Sequence, residues 1–214
     1  MQRVMIHPAT YKNARVAVER AFELFPLNLG GKRVLIKPNV LRASEAKEAI
    51  VTHPAVLQAV VEAVEGLGPR EIVVGDNPGV VSYGANEESF NKTGLMQAAK
   101  GYYRNIGNES CRVEFNPAFM PAVSLSRAVM DADIIISLPK FKTHGLTVLT
   151  GAIKNSYGFM PGGVKAKLHR AAGNPERFHE AVVEVFRLRV PELFIVDAVV
   201  GMAVYTGKLA LPSA

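Results

Sequence analysis

The stretch DADIIISLPKFKTH (131–144) decides how this chain is read. An apolar run of Ile134, Ile135, Ile136, Ser137 and Leu138 follows two acidic residues. It then turns abruptly polar at Pro139-Lys140-Phe141-Lys142-Thr143-His144. A short continuous run of β-branched residues, without alternation, suits a strand buried on both faces of a parallel sheet. Three more runs have the same character: RVLIK (33–37), EIVVG (71–75) and LFIV (193–196). Arg112–Phe115 is a further strand candidate.

Helical patterns lie between these runs. Val56, Leu57, Val60, Val61 and Val64 repeat on one helical face from Pro54, and Gly66-Leu67-Gly68-Pro69 stops the pattern. Another helix starts at Asn174, an N-cap residue, with Pro175 and Glu176 in its first turn and Phe178, Val182 and Phe186 on its apolar face. Tyr11–Phe25 and Glu87–Tyr103 are further helix candidates. Strand and helix in alternation predict an α/β fold. The expected architecture is a three-layer, mainly parallel, doubly wound sheet in one domain over residues 1–214.

Composition narrows the function classes. The chain has 214 residues, 49% of them apolar and 21% charged, which excludes global disorder. Cys111 is the single cysteine, so one chain holds neither an internal disulfide nor a cysteine-ligated iron–sulfur cluster. The longest apolar stretch, Leu193–Val204, contains Asp197 and is too short to span a bilayer. Met1–Arg15 has no apolar core of a signal peptide. The expectation is a cytoplasmic protein with no membrane partner. A formal net charge of +6 favours anionic partners without choosing among them.

In open α/β sheets ligands bind at the carboxyl ends of the strands. The four strands would deliver Lys37, Asn39, Asp76, Asn77, Lys140, Lys142, His144 and Asp197 to one edge. That set is mixed but net positive, as a site for a small anionic molecule would be. Asp76-Asn77-Pro78-Gly79 is also a turn signature, and Asp197 is equally readable as a cap. The segment Thr143–Gly163 is the richest, with hydroxyls at Thr143, Thr147, Thr150 and Ser156, a close-approach glycine at Gly151, and Lys154. It is expected to fold back over the cleft; the alternative is an amphipathic helix from Leu146 to Tyr157 with Lys154 in solvent. Gly158 and Gly163 have phosphate-loop spacing, but Val164-Lys165-Ala166 follow where Lys and Ser/Thr are required, which argues against P-loop chemistry. His179 reads as inert, and KAKLHR (165–170) as a solvated basic run.

VLIKPNV (34–40), VTHPAVLQAVVEAV (51–64), EIVVGDNPG (71–79), DADIIISLPKFKTHGLTVLTGAIKNSYGFMPG (131–162) and IVDAVVGM (195–202) together resemble the "domain of unknown function 362" family. Members of that family are often fused to ferredoxin-type modules, and the family has no established activity. The resemblance implies a chain without the C-terminal part of longer members and, lacking the module itself, a separate ferredoxin-type partner. A fainter likeness is to the N-terminal domain of nickel-pincer lactate racemases. Here His144 and Lys154 are ten residues apart, and Pro161-Gly162 and His169 follow. That likeness implies a nickel-pincer-type nucleotide on Lys154, a metal ligand at His169 and a proton-moving histidine. In place of the racemases' Ser-Gly-Gly before the lysine stand Thr150-Gly151-Ala152-Ile153.

The leading expectation is a family protein holding a small anionic ligand or cofactor at the strand carboxyl ends. His144, Lys154 and Asp76 would be its reactive groups, and Lys37, Asn39, Asn77, Lys140, Lys142, Thr143 and Gly151 would contact the ligand. Whether it turns that ligand over is left open. The alternatives are a racemase- or epimerase-type enzyme on a 2-hydroxy acid and a nucleic-acid-binding protein. Against the last, no nucleic-acid motif occurs and aromatic residues are not interleaved with the basic runs.

Overall fold

A computed structural model describes residues 3–79 and 84–203. The four apolar runs form one sheet. Strands β1 (Arg33–Pro38), β2 (Glu71–Val74), β5 (Ile134–Leu138) and β8 (Leu193–Phe194) lie in the order β2-β1-β5-β8, and every pairing in it is parallel. Both faces are covered, which explains why the runs are continuously apolar. Val34, Ile36, Val74, Ile136 and Leu138 point to one face, against Val18 of helix α1 (Ala14–Leu24) and Leu57, Val60 and Val64 of α2 (Pro54–Gly66). Leu35, Val73 and Ile135 point to the other face. There they meet Leu168 of α7 (Gly162–Ala172) and Phe178, Val182 and Val185 of α8 (Pro175–Leu188).

Local signals set the ends of these helices. His53 accepts a hydrogen bond from the Ala55 amide ahead of Pro54, and Asn174 caps α8 by accepting from the Arg177 amide. Burying five valine and leucine side chains along α2 is worth roughly 1.5–3 kcal/mol each, far more than either cap. The helix expected over Glu87–Tyr103 is instead two pieces, α3 (Asn86–Thr93) and α4 (Leu95–Ala98). Gly94 between them sits at φ +78°, a left-handed conformation that ends one helix and starts the next.

Two further sheets lie outside the main one. The Arg112–Phe115 candidate lies largely within β3 (Ser110–Glu114), which pairs antiparallel with β4 (Ala122–Ser126); a short helix α5 (Arg127–Asp131) then leads into β5. The Pro139–His144 segment, expected only as the polar stretch after a strand, is for the most part itself a strand. Here β6 (Lys140–His144) pairs antiparallel with β7 (Val148–Thr150) and parallel with β9 (Asp197–Met202). Pro139 separates β5 from β6, so the chain leaves one sheet and enters another. After β7 come a one-turn helix α6 (Ala152–Asn155) and a 3-10 turn at Ser156–Phe159, not the amphipathic helix from Leu146. The tail Tyr205–Ala214 lies outside the described residues.

Candidate functional site

From β1 the chain crosses to β2 by way of α2, on one face of the sheet. It later reaches β8 by way of α8, on the other face. The order therefore switches direction between β1 and β5, which leaves a crevice beyond their carboxyl ends. Thr52 ties those two ends together: its hydroxyl accepts from the Asn39 amide (2.7 Å) and donates to the Leu138 carbonyl (2.6 Å). Asn155 fills the crevice from above. Its side-chain amide donates to the Ser137 hydroxyl (2.9 Å) and the Lys37 carbonyl, and its oxygen accepts from Lys37 Nζ (3.0 Å) and the Asn39 side chain (3.1 Å).

Over this framework opens a cavity of about 320 Å³. Of the residues expected at the site, Asn39, Asp76, Asn77, Lys142, Thr143, His144, Lys154 and His169 line it. Lys37 lies fully buried beneath, with its ammonium 2.7 Å from Asp76 Oδ1. Asp76 Oδ2 accepts from the Val40 amide at 2.7 Å. Asp76-Asn77-Pro78-Gly79, read as a turn, runs instead alongside residues 40 and 41, with the Gly79 amide donating to the Leu41 carbonyl at 2.7 Å. Gly151 precedes α6 and does not line the cavity.

Lys140 and Asp197 are not brought to this cavity. They form a second buried cluster, in which Lys140 Nζ donates to Asp197 Oδ2 (2.9 Å) and to the Tyr11 hydroxyl (2.9 Å). Asp197 also accepts from the His53 amide and the Tyr11 hydroxyl, and the Tyr11 ring stacks on the His53 ring at 3.6 Å. This clasp joins the N-terminal segment, the start of α2, β6 and β9. Lys140 and Lys142 have the same strand parity, yet the pairing of β6 with β9 slips register between them. Lys142 Nζ donates to the Ile50 carbonyl instead.

The residue that sequence reasoning missed is Lys165. Within the run taken as solvated, it is 5% exposed, and its ammonium donates to the carbonyls of Asn77 (2.6 Å) and Pro78 (2.8 Å). Exposed Lys167 and Arg170 on the same helix do fit the solvated reading. The available signal was α-helical spacing, since Lys165 and Leu168 share a face with Ala172 and all three are buried. Asn155 and Thr52 carried no signal of their own, because an isolated Asn or Thr acquires meaning only from its partners.

Lys37, Lys142, Lys154 and Lys165 thus gather around one carboxylate, Asp76. Burial is the main reason that each of them holds its proton less tightly than an ordinary lysine. Lys142 and Lys165 are brought down to about 7 and Lys154 to about 8, with neighbouring lysines adding to the effect and Asp76 opposing it. His144 is pushed down to about 4 by burial and by Lys154 and Lys142, so it is neutral at pH 7. Its Nδ1 accepts from the Leu146 and Thr147 amides, which leaves the ring proton on Nε2. His144 is therefore a hydrogen-bond donor here, not a ready base.

Gly158 roofs the ion pair. A Cβ there would fall against Asp76 Oδ1 and 2.7 Å from Lys37 Nζ, so the close approach requires glycine. His169 packs its ring on Phe178 at 4.5 Å, and His179 donates its Nε2–H to the Leu146 carbonyl at 2.6 Å. Among the described residues no three His, Cys, Asp or Glu side chains come together as a metal-ligand set. Also among the described residues, no helix is long and apolar enough to cross a membrane.

Comparison with known proteins agrees with the fold. The profile of a family described as "Domain of unknown function (DUF362)" matches residues 34–208. A thylakoid-associated protein of Synechocystis sp. is 33% identical over 170 residues, covering 79% of this chain and 52% of that protein. A crystal structure of a Thermotoga maritima protein superposes with a TM-score of 0.55 at 17% identity, covering 88% of this chain and 51% of that one. The chain thus spans about half the length of these relatives.

Proposed function

The chain belongs to the domain of unknown function 362 family, and on the geometry of its cavity we propose that this part of such a protein holds a small anionic ligand beyond the carboxyl ends of β1 and β5. One observation carries the reading: four lysines surround a single carboxylate at a mostly buried site. Burying like charges together is costly, and a phosphate or carboxylate among them would offset that cost. Among the described residues the hydroxyl of Thr150, almost fully buried on the cavity wall, has no hydrogen-bond partner, nor has the side-chain oxygen of Asn39. Both are groups a ligand's hydroxyl or amine could satisfy. The cavity also has an apolar side, with Leu41, Leu146, Phe178 and Met202, suited to the body of a small organic anion.

In this reading Lys142, Lys154, Lys165 and the Nε2–H of His144 bind the anion. Lys37 and Asp76 form the charged floor, and Asn155, Asn39 and Thr52 keep that floor in place. Titration calorimetry with inorganic phosphate and with small dicarboxylates tests it. Lys154→Ala should abolish binding while barely changing stability, and exposed Lys167→Ala should bind as the parent does. Equal binding by both variants would remove Lys154 from the site.

A further inference from the structure

The four ammonium groups are not equivalent. Lys37 is held by Asp76, the Pro38 carbonyl and Asn155. Lys142 is held by the Ile50 carbonyl, and Lys165 by the carbonyls of Asn77 and Pro78. These three ammonium groups are each anchored by acceptors in fixed positions. Lys154 differs. It is half-buried on the cavity wall, and among the described residues its Nζ has no hydrogen-bond acceptor; it sits over the face of the Tyr157 ring, 4.9 Å from the centroid. The position of Lys154 is set by its backbone, not by an acceptor for its ammonium. It lies in the one-turn helix α6, immediately before Asn155, whose side chain is bonded into the ends of β1 and β5.

We propose that Lys154 is a carbonyl-condensing amine and that the ligand class of this cavity is a small anion bearing an aldehyde or ketone. This rests on the anion-site reading above. The anionic group would lie against Lys142 and Lys165, which places the carbonyl carbon of a short molecule before the free amine. Condensation needs no oxidant or reductant. The amine lone pair forms the C–N bond while the C=O π pair moves onto oxygen. That oxygen takes up the two protons lost by the amine nitrogen and leaves as water, and the C=N bond forms. His144 suits the first stage, because its Nε2–H is a neutral donor for the developing alkoxide. A lysine brought down to about 8 supplies an appreciable neutral fraction near pH 7, as imine-forming lysines require.

The test uses glyoxylate, an anionic aldehyde, against propionaldehyde, a neutral one. Each is incubated with the protein and sodium cyanoborohydride, and the modified residue is located by peptide mass spectrometry. The expected result is an adduct on Lys154, formed about tenfold or more faster with glyoxylate than with propionaldehyde and slowed by inorganic phosphate. Lys154→Ala should lose that adduct, and Lys167→Ala should keep it. Phosphate affinity of the unmodified protein is measured in parallel. If phosphate binds but glyoxylate modifies lysines without preference for Lys154, the condensing role is overturned and the anion site stands. If phosphate neither binds nor slows the reaction, the anion site itself is overturned, and this inference with it.

Discussion

Replacing Asp76 by asparagine would remove one charge and almost no volume. Asparagine keeps an oxygen to accept from the Val40 amide, so the change isolates the carboxylate's effect on Lys37, whose ammonium lies 2.7 Å away at a site where both side chains are almost fully buried. Breaking one half of a buried pair typically costs about 3–5 kcal/mol. A second route gives a similar ceiling. Lys37 can escape an uncompensated charge by losing its proton, and deprotonating a lysine of ordinary pKa costs about 4.6 kcal/mol at pH 7 but only about 1.2 kcal/mol at pH 9.5. Asp76→Asn should therefore lose about 3–5 kcal/mol at pH 7, a large share of a typical domain's stability, and much less at pH 9.5. Urea unfolding followed by circular dichroism at the two pH values measures this. A loss below about 1 kcal/mol at pH 7, or one that does not shrink with pH, would refute a dry Lys37–Asp76 pair.

Other outcomes rest on the same geometry. Lys142, Lys154 and Lys165 have folded-state pKa values below their unfolded ones, so the unfolded chain binds more protons between about pH 7 and the ordinary lysine range, and stability should rise with pH through that window. Phosphate should flatten that rise by restoring the protons, as thermal melts at pH 7 and 9.5 with and without phosphate would show. Gly158→Ala should cost about 1–3 kcal/mol in denaturant melts, because its methyl group meets the ion pair, and should weaken phosphate binding as the floor shifts. Asn155→Ala takes one of three partners from Lys37 and removes the bonds made by the Asn39 side-chain amide and the Ser137 hydroxyl, and should lower stability by roughly 1–3 kcal/mol for each buried group left without a partner. Asp197→Asn should destabilise the protein by loosening the Tyr11–Lys140 clasp, yet leave phosphate affinity unchanged, because that cluster stands apart from the cavity.

The main sheet was legible in the sequence because a strand buried on both faces must be apolar at every position, whatever its neighbours are. The same logic located α2 and α8, whose apolar faces and caps are local properties. Lys37, Asp76 and Lys142 could be anticipated at one edge, since parallel strands bring their carboxyl ends together. Tertiary structure decided the rest. A polar strand such as β6 leaves no apolar run to read, and only its pairing with β7 and β9 makes it a strand. Lys140 and Lys142 share one strand but serve different clusters because of a register slip against β9, a segment more than fifty residues away in the chain. Lys165 is a surface residue by composition and a buried one by packing, since the carbonyls that hold it belong to residues 77 and 78. Asn155 became the keystone of the crevice through partners in β1, β5 and the residue after β1. A polar side chain takes its role from what it touches, and long-range contacts between polar groups are not written in the pattern of any one segment.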